Sequence, residues 1–198
     1  TPADLRSLPK VLEKVALVRQ FRLNSIAPST RKFAETPMLF RDRNRPKSYV
    51  LIPRVSSENR KYIPIGFFDD NSIVSDTCMF VPECGLFHFG ILTSIMHMAW
   101  VKHVCGRLEN RFRYSKDIVY NNYPWPENPT EKQVKAIEEA AQAVLDAREL
   151  FHGSSLADLY DPRTMPPALV KAHNELDKAV DLGYRPQPFS NEDQRMEF

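Results

Sequence analysis

The chain has 198 residues, of which 42% are hydrophobic and 26% are charged, enough apolar residues for one large domain or two small ones. No apolar run reaches the 18 residues that a membrane-spanning helix needs, and no signal peptide is visible, so no membrane partner is predicted. The net charge is only +2, but residues 1–61 carry 14 Lys and Arg against 5 Asp and Glu, whereas residues 117–198 carry 8 against 15. A basic front half indicates a polyanionic partner, and a solvated basic face without a partner is the alternative.

The first predicted element is helical. Asp4 to Phe21 has apolar residues at helical spacing, which predicts an amphipathic helix, restarted at Pro9 because proline is favoured in a first helical turn. Residues 25–35 are polar and basic, and they predict a loop with a short helical turn.

Short apolar runs rich in β-forming residues come next, and they predict a small, irregular antiparallel sheet. The runs are Met38–Phe40, Tyr49–Pro53, Tyr62–Phe68 and Cys78–Val81. Prolines at 53, 64 and 82 indicate edge or irregular strands. Leu86 to Cys105 is apolar nearly all round, which predicts one buried helix, ended by Gly106. The predicted fold class is therefore α+β.

After Pro129 the pattern is helical and acidic. Thr130 and Gln133 have the spacing of a capping box, and the helix that they begin is predicted to run to about Phe151. A second helix is predicted from about Ala168 to Leu182, which makes a helical hairpin. Three parts are expected: a basic, mixed α/β domain at 1–128, an acidic helical region at 129–184, and a disordered, Pro-rich tail at 185–198.

The sequence contains no catalytic motif. No Gly-rich loop follows a strand, so no cofactor is expected in this chain, and no pair of metal ligands shares a helix face. Cys78, Cys84 and Cys105 form no C-x-x-C pair, which favours free thiols in a reducing cytosol. The alternative is a zinc site formed by Cys78, Cys84, His88 and His103, and with it a self-sufficient zinc hydrolase.

Two basic segments indicate function. The first, Arg54 to Lys61, is a polar loop between apolar runs. Its basic residues, including Arg60, can neutralise phosphates, while Ser57 and Asn59 can donate hydrogen bonds to phosphates or bases. An ordinary solvated hairpin loop is the alternative.

The second basic segment is Arg107 to Lys116. If it is extended, alternation places Arg107, Glu109, Arg111 and Arg113 on one face. An arginine fork reads guanine O6 and N7, and a carboxylate accepts from cytosine N4, so Glu109 with Arg111 can read one C·G pair. A surface ion pair worth about 0–1 kcal/mol is the alternative.

The same residues carry a family resemblance. The stretch GILTSIMHMAWVKHVCGRLENRFRYSKDIVYNNYPWPENPTEKQ closely resembles the target recognition domain of MmeI-like (type IIL) restriction–modification proteins, as does the upstream YVLIPRVSSENRKYIPIGFFDDNSIVSD. The downstream AAQAVLDAREL, SLADLYDP and MPPALVKAHNELDKAVDLGY resemble the C-terminal helical region of those proteins.

The resemblance implies a sequence-specific module for double-stranded DNA within a larger adenine-N6 DNA methyltransferase, bacterial and cytoplasmic. S-adenosylmethionine and the flipped adenine would belong to a methyltransferase domain of the same chain, which is a second expected partner, and some members also carry a nuclease. This chain lacks the cofactor and catalytic boxes and begins at Thr1, which suits an excised fragment that does not itself methylate.

In the family, the positions that match Glu109 and Arg111 vary together with the base pair recognised. Base reading is therefore expected from Glu109, Arg111 and Asn59. DNA-backbone contacts are expected from Arg31, Lys32, Arg54, Ser57, Arg60, Lys61, Arg107, Arg113, Tyr114 and Lys116. The alternative function is an interaction scaffold, in which the acidic helices are the functional surface and the basic front docks onto an acidic partner domain.

Overall fold

The computed structural model describes residues 2–40 and 46–198, which fall in two compact units, Thr1–Arg45 and Pro46–Phe198. The described part of the first unit is helical. It comprises α1 (Pro2–Leu5), α2 (Pro9–Leu23), α3 (Pro28–Lys32) and a 3₁₀ turn (Phe33–Glu35). The guanidinium of Arg22 donates to the carbonyls of Phe33, Thr36 and Leu39 at 2.8–3.0 Å, which ties the end of α2 to the turn that follows.

The first unit differs from the sequence-based expectation in two respects. The helix restarts at Pro9 as predicted, but α2 has no buried residue, and Phe21 is 76% exposed, so the expected apolar face is not covered. Met38–Phe40 forms no strand, because the backbone turns there and Leu39 N donates to Thr36 O at 3.1 Å. Residues 41–45, part of the basic stretch expected near DNA, lie outside the described residues.

The second unit opens with an antiparallel sheet in the order β3-β1-β4. Its strands are β1 (Ser48–Pro53), β3 (Gly66–Asp69) and β4 (Cys78–Pro82). Pro53 and Pro82 end their strands, as the missing N–H of proline requires. Within the predicted run at 62–68, only Gly66–Phe68 pair with a neighbouring strand, and the strand continues to Asp69. The preceding Tyr62, Ile63 and Ile65 are buried without strand pairing.

A second small sheet, which the apolar pattern of the sequence does not predict, has the order β2-β6-β5. It comprises β2 (Val55–Ser56), β5 (Gly106–Leu108) and β6 (Arg111–Arg113). All its pairings are antiparallel, and β2 connects the polar loop after β1 to the arginine-rich segment 50 residues further along.

The long apolar stretch at 86–105 forms two helices, α4 (Leu86–Leu92) and α5 (Ile95–Val104), and both are largely buried, as expected. Thr93 and Ser94 cause the break. Their hydroxyls donate to the carbonyls of Phe89 and Ile91 at 2.8 and 2.7 Å, and Ser94 Oγ also accepts from His97 N. Ser94 therefore caps a new helix.

The C-terminal half is helical, with α6 (Glu131–Glu149), α7 (Leu156–Leu159), α8 (Pro167–Tyr184) and α9 (Glu192–Glu197). The predicted capping box of Thr130 and Gln133 is present at the start of α6. Mixed helices and small antiparallel sheets confirm the α+β class. Within the described ranges, no helix is long and apolar enough to cross a membrane.

The segment 185–198, predicted to be disordered, is ordered in the structure. Arg195 in α9 donates two hydrogen bonds to the carboxylate of Asp181 on α8, at 3.0 and 2.6 Å, and Phe189 is buried. Lys102 of α5 also forms an ion pair with Glu192 at 2.5 Å. Composition alone indicated disorder because these partners lie elsewhere in the chain.

The α4 helix packs against α6 and α8 at Gly90. A Cβ added there would lie 2.9 Å from Ile137 Cγ2 and 3.1 Å from Ala141 Cβ. Gly90→Val is therefore expected to destabilise the chain by about 1–3 kcal/mol through overpacking. Urea unfolding measures the effect, with Gly85→Ser as the control, because a Cβ at Gly85 meets nothing within 4 Å. Equal stabilities of the two variants would contradict this packing.

Candidate nucleic-acid interface

Strands β5 and β6 form a hairpin whose turn is Glu109–Asn110, since Leu108 pairs with Arg111. Glu109 has φ 57°, in the left-handed region, which costs a non-glycine residue on the order of 1 kcal/mol or more. The turn places the Glu109 side chain at the tip of the hairpin, where it is 77% exposed.

Glu109 and Arg111 meet at this tip. Arg111 Nη2 lies 2.7 Å from Glu109 Oε2, and the Arg111 side chain is 46% exposed. An exposed pair of this kind adds little stability, on the order of 0–1 kcal/mol. Within residues 2–40 and 46–198, the other N–H groups of Arg111 and the second carboxylate oxygen of Glu109 make no hydrogen bond, so they can bind a ligand that presents both acceptors and donors, as a C·G pair does.

The four alternating residues do not share one face, and the prediction is wrong for Arg107. Because the chain reverses at Glu109–Asn110, Arg107 lies opposite Phe112, whereas Leu108 lies opposite Arg111. Arg107 stacks over the Phe112 ring at 4.1 Å and donates to the carbonyls of Asn110 and Lys102. Arg113, two residues beyond Arg111 in the same strand, lies on the face of Arg111.

The two basic segments identified in the sequence are neighbours in space. Val55 pairs with Arg113, and Tyr114 N donates to Arg54 O at 2.8 Å. Arg54 and Arg113 both line an open groove of about 920 Å³, with Leu108 among its apolar lining. In the part of the chain that the structure describes, neither guanidinium makes a hydrogen bond or an ion pair, so both charges are available to a ligand.

Tyr114 cannot contact DNA, which corrects the expectation for that residue. It is only 2% exposed, and its hydroxyl lies 2.9 Å from His97 Nε2. Burial lowers the pKa of His97 to about 4, so the ring is neutral at pH 7. With His97 Nδ1 donating to Leu92 O at 2.8 Å, Nε2 accepts the Tyr114 proton. Tyr114 therefore has a structural role, because its buried hydroxyl joins the end of the hairpin to α5.

The end of the polar loop is directed toward the C-terminal helices. Arg60 donates to Ala157 O at 3.3 Å, and Lys61 Nζ donates to Asn174 Oδ1 at 3.3 Å. Asn59 is exposed, and Ser57 is half-buried, with its hydroxyl accepting from the backbone N–H of Asn59. Of the expected DNA-contacting residues in this loop, Arg54, Asn59 and Lys61 are exposed, whereas Ser57 and Arg60 are half-buried.

The remaining candidates are exposed. Lys116 follows the hairpin and lies 3.9 Å from Asp117 Oδ1. Arg31 and Lys32 belong to the first unit, where Arg31 donates to the carbonyls of Ser25 and Ile26.

Of the two thiols in the alternative zinc site, Cys84 is buried and Cys78 is half-buried. Burial raises the pKa of Cys84, which favours the protonated thiol over the thiolate that binds zinc. Among the residues described, no group of three His, Cys, Asp or Glu side chains could hold a metal ion.

Comparison with known proteins identifies the family. The model of the MmeI target recognition domain matches residues 1–127, and that of the MmeI C-terminal domain matches residues 129–198. DNA methyltransferase A of Bacillus subtilis (strain 168) is 40% identical over 194 residues, which cover 98% of this chain and 22% of that protein. The solved structure of the type IIL restriction–modification enzyme MmeI in complex with DNA is 49% identical, with a TM-score of 0.90 over 99% of this chain and 26% of that one.

The chain thus spans about a quarter of the length of either relative. The resemblance drawn from the sequence is confirmed, and the chain belongs to the MmeI family, in which it corresponds to the target recognition and C-terminal domains.

Proposed function

We propose that this chain is the sequence-recognition part of a larger DNA methyltransferase of the restriction–modification type. The observation that carries the proposal is the exposed Glu109–Arg111 pair at the hairpin tip, beside the guanidinium groups of Arg54 and Arg113, which have no partner within the described ranges. A donor–acceptor pair suits the edge of a base pair, and free arginines suit phosphates or guanine. The names of both relatives, a DNA methyltransferase and a restriction–modification enzyme bound to DNA, support this proposal.

In this proposal, Glu109 accepts a hydrogen bond from cytosine N4, and Arg111 donates to the O6 and N7 of the paired guanine. Asn59 on the adjacent loop assists with a base or sugar contact. Arg54, Arg107, Arg113 and Lys116 neutralise nearby phosphates, and Arg31 and Lys32 contribute from the first unit. The domain at 1–128 contacts the DNA, and the helical region at 129–184 supports that domain.

Adenine-N6 methylation and S-adenosylmethionine belong to the rest of the parent protein, the longer chain that would contain this one. The residues of this chain do not fit that cofactor, because none of its six glycines forms a Gly-rich loop after a strand. The parent would act on double-stranded DNA in the bacterial cytoplasm, with its methyltransferase domain as the second partner of this chain.

Salt dependence tests the phosphate contacts. Arg54→Gln and Arg113→Gln in the parent are each expected to lower the slope of log Kd against log salt by about 0.9, since each phosphate contact releases one condensed cation. Equilibrium binding to a duplex at several salt concentrations measures the slope. Lys135→Gln is the control, because Lys135 is exposed on the acidic α6 and lies 3.8 Å from Glu139. The proposal would be contradicted by an unchanged slope in both arginine variants. It would also be contradicted if the parent protein bound another polyanion more tightly than duplex DNA.

A further inference from the structure

We propose that α8 holds the DNA-facing loop and hairpin in register with each other, and that Asp177 is the positioning residue through which it does so. This inference rests on the proposed function. It assigns the C-terminal helices a part in DNA recognition that needs no contact of their own with the DNA.

Asp177 joins two segments that are far apart in sequence. Its Oδ2 accepts a hydrogen bond from Tyr62 Oη at 2.6 Å, and its Oδ1 accepts one from Ile95 N at 2.8 Å. The carboxylate is buried, with the residue 8% exposed. The Asp177 side chain thus binds Tyr62, which follows the polar loop, and Ile95, which begins the helix that leads to the hairpin.

The first of these segments is the polar loop. Tyr62 directly follows Lys61, and its ring is 1% exposed and stacks on His173 of α8 with centroids 4.0 Å apart. The hydrogen bonds of Arg60 to Ala157 O and of Lys61 to Asn174 lie beside it. The other end of the loop is fixed by the pairing of Val55 with Arg113. The loop is therefore anchored to the hairpin at one end and to the C-terminal helices at the other.

The second segment leads to the hairpin. Ile95 is the first residue of α5, and after Cys105 the chain passes directly from that helix into β5. The backbone N–H groups at a helix N-terminus lack partners within the helix, and a carboxylate there satisfies one of them and the positive end of the dipole. Asp177 thereby fixes the end of α5 opposite to the end that carries the hairpin.

A buried carboxylate is costly, and an apolar residue often packs as stably in its place. Burial raises the pKa of Asp177, which the hydrogen bonds from Tyr62 and Ile95 oppose. Hydrogen bonds are directional, so the carboxylate specifies relative position in a way that apolar packing does not. An apolar substitution at Asp177 can therefore keep the core stable and still lose the relative position of the two segments.

The test compares two substitutions in the full parent protein. Asp177→Leu removes both acceptors, and we expect the KM for DNA to rise about tenfold while kcat per folded molecule stays unchanged. Asp177→Asn keeps both contacts, because its oxygen can accept from Ile95 N and its amide can donate to Tyr62 Oη, so it is expected to restore the KM to within about twofold of the wild type. The folded fraction is measured by circular dichroism.

Val180→Ala is the matched control, since Val180 is fully buried on the same helix and its truncation leaves a cavity without touching Asp177. It is expected to lower the melting temperature without changing the KM. If Asp177→Leu does not fold, Tyr62→Phe, which removes one hydroxyl, is expected to raise the KM in the same direction. The inference is overturned if Asp177→Leu, or in its place Tyr62→Phe, leaves the KM of the folded protein unchanged, or if Asp177→Asn behaves like Asp177→Leu. A wild-type parent that binds DNA without sequence preference would instead overturn the proposed function.

Discussion

Glu109→Ala and Arg111→Ala in the parent protein are each expected to lower discrimination at one base pair of the target by about 1–3 kcal/mol, or roughly 5- to 150-fold. The base pair should be the same for both variants, because the two side chains are joined at 2.7 Å and, in the proposed function, read the two halves of one pair. Methylation rates on a set of duplexes, each with one base pair changed, measure the discrimination.

The control for these variants is Asn110→Ala. Asn110 occupies the same turn, but its contact to Arg107 uses the backbone carbonyl, so its truncation leaves the hairpin contacts in place. We expect the control to discriminate like the wild type. If the two variants lose discrimination at different base pairs, or if neither loses any, Glu109 and Arg111 do not read one base pair together.

The second large effect concerns stability. Tyr160→Phe removes one oxygen and is expected to cost about 3 kcal/mol or more, because it leaves a buried charge poorly paired. Arg148 Nε donates to Tyr160 Oη at 3.0 Å, and Arg148 Nη2 also donates to it. Tyr160 Oη in turn donates to His173 Nε2 at 2.6 Å, since burial and the charge of Arg148 lower the pKa of His173 to about 3 and keep its ring neutral. Of the hydrogen bonds that the described residues make, the only one left to the guanidinium would be that from Arg148 Nη1 to Ile65 O, at 2.8 Å.

Urea unfolding of the 198-residue chain measures this cost. Tyr120→Phe is the control, because Tyr120 is half-buried and its hydroxyl makes no hydrogen bond within the described ranges. We expect the control to change the free energy of unfolding by less than about 0.5 kcal/mol. If the Tyr160→Phe variant is equally stable, this network does not hold α6 and α8 to the segment that precedes β3.

The sequence predicted those elements whose signals are local. Thr130 and Gln133 are three residues apart, so the start of α6 could be predicted from their capping pattern alone. The β2-β6-β5 sheet was missed because its strands have two or three residues and are rich in arginine, so they show no apolar alternation. The break between α4 and α5 was missed because apolar residues continue on both sides of Thr93 and Ser94.

The same distinction holds for the candidate site. Glu109 and Arg111 are close in sequence, and their chemistry indicated a pair, which the hairpin brings together. Arg107 was assigned to the wrong face because alternation assumes a continuous strand. Arg60 has its partner 97 residues away, so its direction depends on tertiary packing that no local pattern carries.

The most direct measurement is methylation mapping of DNA modified by the parent protein, with the wild type beside a Glu109→Lys/Arg111→Asp variant. This double substitution exchanges the acceptor and the donor at the hairpin tip, so a site that reads a C·G pair should come to prefer the reversed pair. The account predicts a methylated motif that differs from the wild type at one position and is unchanged elsewhere. An active variant that methylates the wild-type motif would contradict base reading by Glu109 and Arg111.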